Sequence, residues 1–407
     1  MRNCALRLTS LSLLLAASVA YSQEETIAIK AGEILTISGA PVRAGVILIR
    51  GGKIADLGAD VVIPPDARIM DASNAVVMPG LVDASAIAPV RGDRNEQSNE
   101  MTPSLRISSG LDPQSKTLKR ILQNGCTTLC VMPGGENLIG GLGVVVKTVG
   151  PLSNINEMIL KEDAGLKIVM GSDATVGNRI PRQEPPTDFY FRRPTTTMAV
   201  AWMLRKCFFD AQQYAASARE EDADLKVIAA ALKGVIPIRV NVRRAIDIRT
   251  ALRIADEYRF RLVLDECTEG YKVADELAKK EVPVVLGPFY YYPTGSSQYD
   301  EGREVNWNNA GLLVRAGVKV AIASNGQDES IGLLTAAAFA VRHGMPRAEA
   351  LRSITLVPAQ ILRVADRVGS LEKGKDADLL ILSGDPLAVT SRIQRVILNG
   401  KTVYQMD

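Results

Sequence analysis

The stretch "VVMPGLVDASAIAP", residues 76–89, decides how the rest of the chain is read. An apolar run climbs through Pro79 and Gly80 to Asp83 and continues into Ala84, Ser85 and Ala86. Bounded by turn formers, it reads as a short connection into a buried strand over 81–87. The segments on either side of it show which sheet that strand joins.

Upstream, from Thr26 to Met78, short runs such as "TIAIKAGEILTI" and "AGVILIRGGKIADLG" alternate apolar and polar residues between Gly-Gly and Asp-containing turns, the pattern of a small β-sheet unit. The far end repeats the style in "GSLEKGKDADLLILSG" and "IQRVILNGKTVYQMD". Two β-rich ends around one long middle predict a single accessory sheet unit built from both termini. The middle alternates strand-like runs (81–87, 127–132, 143–149, 166–171, 235–241, 260–265, 282–287 and 317–323) with helical patterns such as "AIDIRTALRIADEY". Eight such runs predict a (β/α)8 TIM barrel, with an open doubly wound sheet as the alternative. The expected fold class is therefore α/β: a barrel over 80–360, with a β-sandwich from 23–79 and 361–407.

Residues 1–22 stand apart. Arg2 and Arg7 precede an apolar run from Leu8 to Ala20, which ends in small residues, the layout of a secretory signal peptide. The expectation is an exported chain, periplasmic or secreted, with no membrane span, since no apolar run reaches the ~20 residues a span needs. Without Arg2 and Arg7 the basic count falls from 48 to 46 against 45 acids, leaving a formal charge of +1. Such a balance offers no field for nucleic acid. Cys126 and Cys130 lie four apart on a predicted strand, roughly 13 Å from each other and too far to bridge. They read as buried apolar residues.

The fragments "GGKIADLG", "MPGLVDA", "GCTTLCVMPGGENLIGGLGVVVK" and "GSLEKGKDADLLIL", in this order and spacing, resemble the amidohydrolase superfamily, in particular its imidazolonepropionase-like metal-dependent hydrolases. The resemblance runs from about Thr26 to the end and implies the same barrel and two-ended β-sandwich. It also implies a hydrolase of carbon–nitrogen bonds with Zn2+ or another divalent metal at the C-terminal mouth of the barrel. The ligands there are a His-x-His on the first strand, an acidic or modified Lys bridge, one His on each of the fifth and sixth strands, and an Asp after the eighth. Such an ion lowers the pKa of bound water to ~7, so that hydroxide can attack.

On this chain those positions fall on Ala84 and Ala86, Ser172, Asn241, Glu266 and Asn325. The whole chain carries one histidine, His343, so no shift of register recovers an imidazole cluster. It closes the helical run "LLTAAAFAVRHG", where a basic side chain complements the helix end. The expectation is that no metal and no other cofactor is held. Arg243 lies two residues beyond Asn241, so both point the same way on an extended strand. Its guanidinium can stand in for the lost cation against Glu266 and Asp173 or Asp83, or pair with helix carboxylates outside the barrel. Asp83, Asp173, Asp265 and Glu266 suit Mg2+ or Ca2+ only if six or more oxygens converge. Ser172 and Cys267 lack an adjacent base, and Lys147 stays open as one. "PGGENLIGGLG" lacks a phosphate loop's Gly-Lys-Ser/Thr ending and reads as a turn.

The stretch 288–307 gathers six aromatics, among them Tyr290, Tyr291 and Tyr292, after the seventh strand. It reads either as a plug over a vacated site or as a binding surface for a small molecule or peptide. The Pro- and Arg-rich segment 176–194 is a second lid candidate. The leading expectation is an amidohydrolase-fold protein without metal catalysis that binds or scaffolds, partnered by an active relative or by a second copy of itself. The alternatives are a hydrolase of carbon–nitrogen, non-peptide bonds through a non-standard site, and a small-ligand binding module.

Overall fold

The computed structural model describes residues 25–96, 98–148, 155–176, 178, 193–217, 221–287, 304–324 and 332–406. The amino-terminal segment 1–22, most of 176–194, Tyr290, Tyr291, Tyr292 and Asn325 lie outside the described residues.

In chain order the strands are β1 (Ile27–Ile34), β2 (Val42–Arg50), β3 (Lys53–Gly58), β4 (Arg68–Pro79), β5 (Leu81–Ala86), β6 (Cys126–Val131), β7 (Ile139–Leu142), β8 (Val144–Lys147) and β9 (Ile159–Lys161). They continue as β10 (Leu166–Val169), β11 (Ile238–Val242), β12 (Leu262–Glu266), β13 (Val284–Leu286), β14 (Val320–Ile322), β15 (Leu379–Leu382), β16 (Ile393–Leu398) and β17 (Lys401–Gln405). One seven-stranded sheet, ordered β17-β16-β15-β4-β1-β2-β3, joins the two ends of the chain. It curls around its own core, which includes Ile29, Ile34, Ile47, Ile54, Val77 and Leu379. Backbone bonds from Ile54 to Lys375 (2.9 Å) and from Ala377 to Gly52 (2.8 Å) tie its halves together.

The long strand β4 carries the chain out of this sheet through Pro79 and into the barrel. Gly80 is required at the junction: a Cβ there would lie 2.1 Å from Oγ1 of Thr127 at the start of β6. The barrel strands follow as β5, β6, the β7/β8 pair, β10, β11, β12, β13 and β14. All eight predicted strands are present, and the fold is the TIM barrel with a β-sandwich expected from the pattern. One strand position departs from the parallel rule. The run 139–147 is antiparallel to both neighbours, with β7 on β10 and β8 on β6. The glycine-rich stretch read as a turn thus contributes a strand, and Gly141 (φ 103°) is held so close to Leu105 that a Cβ would lie 2.4 Å from its carbonyl oxygen.

The seam between β14 and β5 is closed by other groups. Ile322 and Val82 donate to the carbonyls of Ser353 and Ile354 (2.8 and 2.9 Å), and Ser324 N–H donates to the Asp83 carboxylate (3.2 Å). Helices cover the outside, started by side-chain caps where the sequence provides them. Thr196 accepts from Ala199 N–H at the head of Thr197–Ala216, and Asp222 accepts from Leu225 N–H at the head of Ala223–Leu232. No helix among the described residues is long and apolar enough to cross a membrane.

Candidate functional site

Strand alternation decides what the barrel encloses. Val82, Ala84, Cys130, Met132, Val145, Val263, Val285 and Ala321 form one inner apolar cluster. On β11 the outward residues Ile238, Val240 and Val242 join the outer core, which leaves Arg239 and Asn241 for the interior, with Arg243 next in the same series. Arg239 is 1% exposed, the largest fully buried side chain among the described residues. Its Nε and Nη2 both donate to Oδ1 of Asp265 (3.1 and 2.7 Å), and Nη1 donates to the Ala84 carbonyl (2.8 Å) and to Cys130 Sγ (3.2 Å). Lys167, paired with Arg239 across β10 and β11, places Nζ 3.4 Å from Oδ2 of the same aspartate. Burial works against the Arg239 charge, but Asp265 and Cys130 outweigh it and raise its pKa. The same burial pushes the Cys130 thiol up to about 11, even though Arg239 pulls it down.

Higher on the axis lies a second, more open cluster. Arg243 reaches both carboxylates named from the sequence: Nη1 and Nη2 meet the two oxygens of Asp173 at 3.0 and 2.7 Å, and Nε makes a short contact with Glu266. By alternation Glu266 should follow Leu264 to the outer face. Left-handed backbone at Glu266 (φ 67°) and Cys267 (φ 48°) breaks that alternation, and the carboxylate meets Arg243. Asp173 opens a short helix, Asp173–Val176, that Ser172 starts by accepting from Thr175 through its carbonyl (2.8 Å). Burial acts against the Arg243 charge, while Glu266 and Asp173 hold its pKa far above the usual range. Arg244, next in sequence, turns instead to Asp247 on its own helix (2.9 Å).

Asp83 takes no part in the Arg243 cluster. It is 3% exposed and accepts from Ser85 N–H (3.0 Å) and Ser324 N–H. Burial pushes its pKa up to about 6, with the hydrogen bonds from Ser324 and Ser85 only partly offsetting it. Asn241 is 5% exposed, and its Oδ1 meets no donor among the described residues. The two alanines are not equivalent: Ala84 belongs to the inner cluster, whereas Ala86 packs with the outer one, beyond a register shift in β5.

The remaining sequence candidates lie elsewhere. His343 is the C-cap of the helix Leu333–Arg342, its ring 4.4 Å from that of Phe339 and 5.1 Å from that of Trp307. Lys147 is not at the mouth. The antiparallel course of β8 carries it to the floor of the barrel, against Asp376 (2.7 Å) and Asp378 (3.1 Å) of the curled sheet and close to Asn399. Cys126, Cys130, Cys207 and Cys267 are all free and buried.

The residues that sequence reasoning missed are Arg239 and Lys167. Both could have been found by carrying the period of two back from Arg243 through Asn241 to Arg239, and across to the neighbouring strand. Chemically, among the described residues, Arg239 and Lys167 face Asp265 at the barrel centre, and Arg243 faces Asp173 and Glu266 at the mouth.

Comparison with known proteins places this geometry. Residues 274–403 match the profile of the amidohydrolase family. A crystal structure of an amidohydrolase from Thermotoga maritima MSB8 superposes with a TM-score of 0.84 at 31% identity, over 93% of this chain and 100% of that one. The imidazolonepropionase of Thermoplasma acidophilum is 22% identical over 83% of this chain and 82% of its own length. The amidohydrolase tasK of Hapsidospora irregularis is 24% identical over 84% of this chain, which spans only 38% of that protein.

Proposed function

Because this chain belongs to the amidohydrolase family, we propose that it is a member in which protein cations have replaced metal-dependent hydrolysis, leaving a binding or scaffolding role. The observation that carries the reading is Arg239, whose guanidinium sits inside the barrel on the carbonyl of Ala84, one of the positions where the family resemblance implies a metal ligand.

Donor chemistry supports it. A divalent ion needs several lone pairs converging on one point. Here Ala84 offers a methyl group, and Asp265 is engaged by Arg239 and Lys167. Asp173 and Glu266 are both engaged by Arg243. The one histidine of the chain caps a helix. These residues do not fit the ion.

The amino-terminal Arg2, Arg7 and apolar run support an exported location, periplasmic or secreted. An active relative or a second copy of the chain is the partner such a role implies. A second reading, a module that holds a small ligand at the mouth, is favoured by the buried Asn241 Oδ1, an acceptor that meets no donor among the described residues.

Metal analysis of the purified chain after growth with zinc tests the main reading. It should show no stoichiometric ion, and a chelator should change neither stability nor any residual turnover. About one or two tightly held ions per chain, with carbon–nitrogen bond hydrolysis that a chelator abolishes, would overturn it.

A further inference from the structure

The opposite end of the barrel carries a feature that the mouth does not explain. Counting back along the inward series, Arg261 precedes Val263 and Asp265 on β12, and Lys319 precedes Ala321 on β14, so both stand at inward positions on the lower rim. They open into a cleft of about 490 Å3, within the size range of small-ligand sites, whose charged lining is Arg259, Arg261, Lys280, Lys319, Asp256 and Glu281. Its floor is apolar, from Phe260, Val282, Pro283 and Ile361.

The charges here are unmatched, in contrast to the mouth. Lys280 is held by Asp256 at 2.7 Å. Among the described residues, Arg259, Arg261 and Lys319 make no ion pair, and Glu281 is the only other carboxylate in the lining. Two more cations stand beside the cleft. Arg363 follows the helix Leu356–Ile361 and donates to the carbonyls of Val235 and Gly234 (3.3 and 3.2 Å), and Lys161 donates to the Leu362 carbonyl (2.7 Å). Their mutual repulsion registers on the chemistry. Burial and the neighbouring Arg363 lower the pKa of Arg261, and burial, Arg363 and Arg261 lower that of Lys161, which Cys130 and Asp366 offset only in part.

The helix ends near the cleft share one backbone conformation. Arg259 (φ 57°), Glu281 (φ 52°) and Arg363 (φ 58°) each adopt the left-handed conformation at a helix end. That position ordinarily goes to glycine, and another residue there costs about 1 kcal/mol or more. Three charged residues accept that cost around one cleft.

We propose that this lower cleft binds a small organic dianion, its phosphate or dicarboxylate head between Arg261 and Lys319 and its apolar body on Phe260, Val282 and Ile361. The guanidinium fork of Arg261 matches either head group, and a bound dianion would offset the repulsion between Arg261 and Arg363.

The test is calorimetric titration of the purified full-length chain with phenyl phosphate, phthalate and benzyl alcohol at fixed ionic strength. Saturable binding of phenyl phosphate, phthalate or both is expected, with none for the neutral alcohol, and the better anion identifies the head group. The R261Q/K319Q double variant should weaken that binding by about tenfold or more. Should the double variant not fold, E281Q carries the test, because removing this carboxylate from the cleft lining should tighten binding about threefold. The proposal fails if neither anion saturates, if sodium chloride reproduces the effect, if binding is unchanged in the folded double variant, or if E281Q binds no better than the parent.

Discussion

The barrel interior and the seam beneath it both bury basic side chains against aspartates, but they hold them by different means. Inside the barrel, Arg239 and Lys167 share Asp265 and project from adjacent strands of one sheet. At the seam, Lys147 comes from the barrel, and its partners Asp376 and Asp378 come from the curled sheet, with Arg367 (2.7 Å) and Lys53 (3.3 Å) also on Asp376. The first network has no redundancy for the arginine, whereas the second has spare cations for one aspartate and none for the other. Burial of charge alone therefore marks no functional site. What separates the two is where the strands put them: the first fills the axis below the mouth, and the second fastens two sheets together.

The comparison predicts unequal costs. R239M removes four buried hydrogen bonds and leaves Asp265 with Lys167 alone at 3.4 Å, so it should lose about 3–5 kcal/mol in denaturant unfolding, the largest effect of these substitutions. R239M/D265L/K167M, which removes all three charges of the network, should recover much of that loss. If R239M alone unfolds within ~1 kcal/mol of the parent, the interior network is not what organises the barrel.

K147M should cost somewhat less, about 2–4 kcal/mol, because Arg367 and Lys53 remain on Asp376 while Asp378 loses its lysine. Its acid sensitivity should change as well. Burial pushes Asp376 up, but Lys147 and Arg367 bring it below the usual carboxylate value. A depressed carboxylate contributes stability above its unfolded pKa of about 4 and loses it as pH falls through the folded value. In K147M that low-pH loss should shrink, and an unchanged acid limb would separate Asp376 from Lys147.

Asp83 sharpens the contrast from the other direction, since its pKa is raised to about 6 by burial. A raised carboxylate favours folding most below its unfolded pKa of about 4, and the gain is lost as pH rises through about 6. A rise of that size is worth ~3 kcal/mol at most. Between pH 4 and pH 7 the parent should lose stability through this group, and D83N, followed by chemical denaturation at both pH values, should show a flatter profile. The Ser324 N–H bond at the β14–β5 seam gives D83N a modest cost of its own, about 1 kcal/mol.

The barrel strands and the two-ended sheet were legible in the sequence because alternation and turn residues repeat along the chain, as in "TIAIKAGEILTI" and "LKIVMG". The antiparallel run 139–147 was not, since strand direction leaves no mark on a stretch of valines and glycines. Arg243 with Asp173 and Glu266 could be proposed because the cation and one carboxylate stood near predicted strand ends. Arg239 escaped because an arginine inside "IPIRVNV" looks like a surface residue on an edge strand until its neighbours at 238, 240 and 242 are known to face outward. Glu266 reaches the cluster only through two left-handed residues, a backbone conformation that neither glutamate nor cysteine advertises.

Arg243 offers the smallest stability effect and the sharpest functional contrast. It is 27% exposed on the side chain, as Asp173 is 31%, so solvent screens the pair and R243A should cost only about 1–2 kcal/mol. Removing the guanidinium takes from Asp173 and Glu266 the cation they share, and two carboxylates on one site repel each other more strongly without it. A hard divalent ion can supply that charge, so R243A should take up Mn2+ or Ca2+ weakly and be stabilised by it, while the parent, whose carboxylates are already engaged, should not respond. Equal responses from the two chains would mean that Arg243 does not stand in the way of an ion, and the proposed substitution of a protein cation for a metal would lose its support at the mouth.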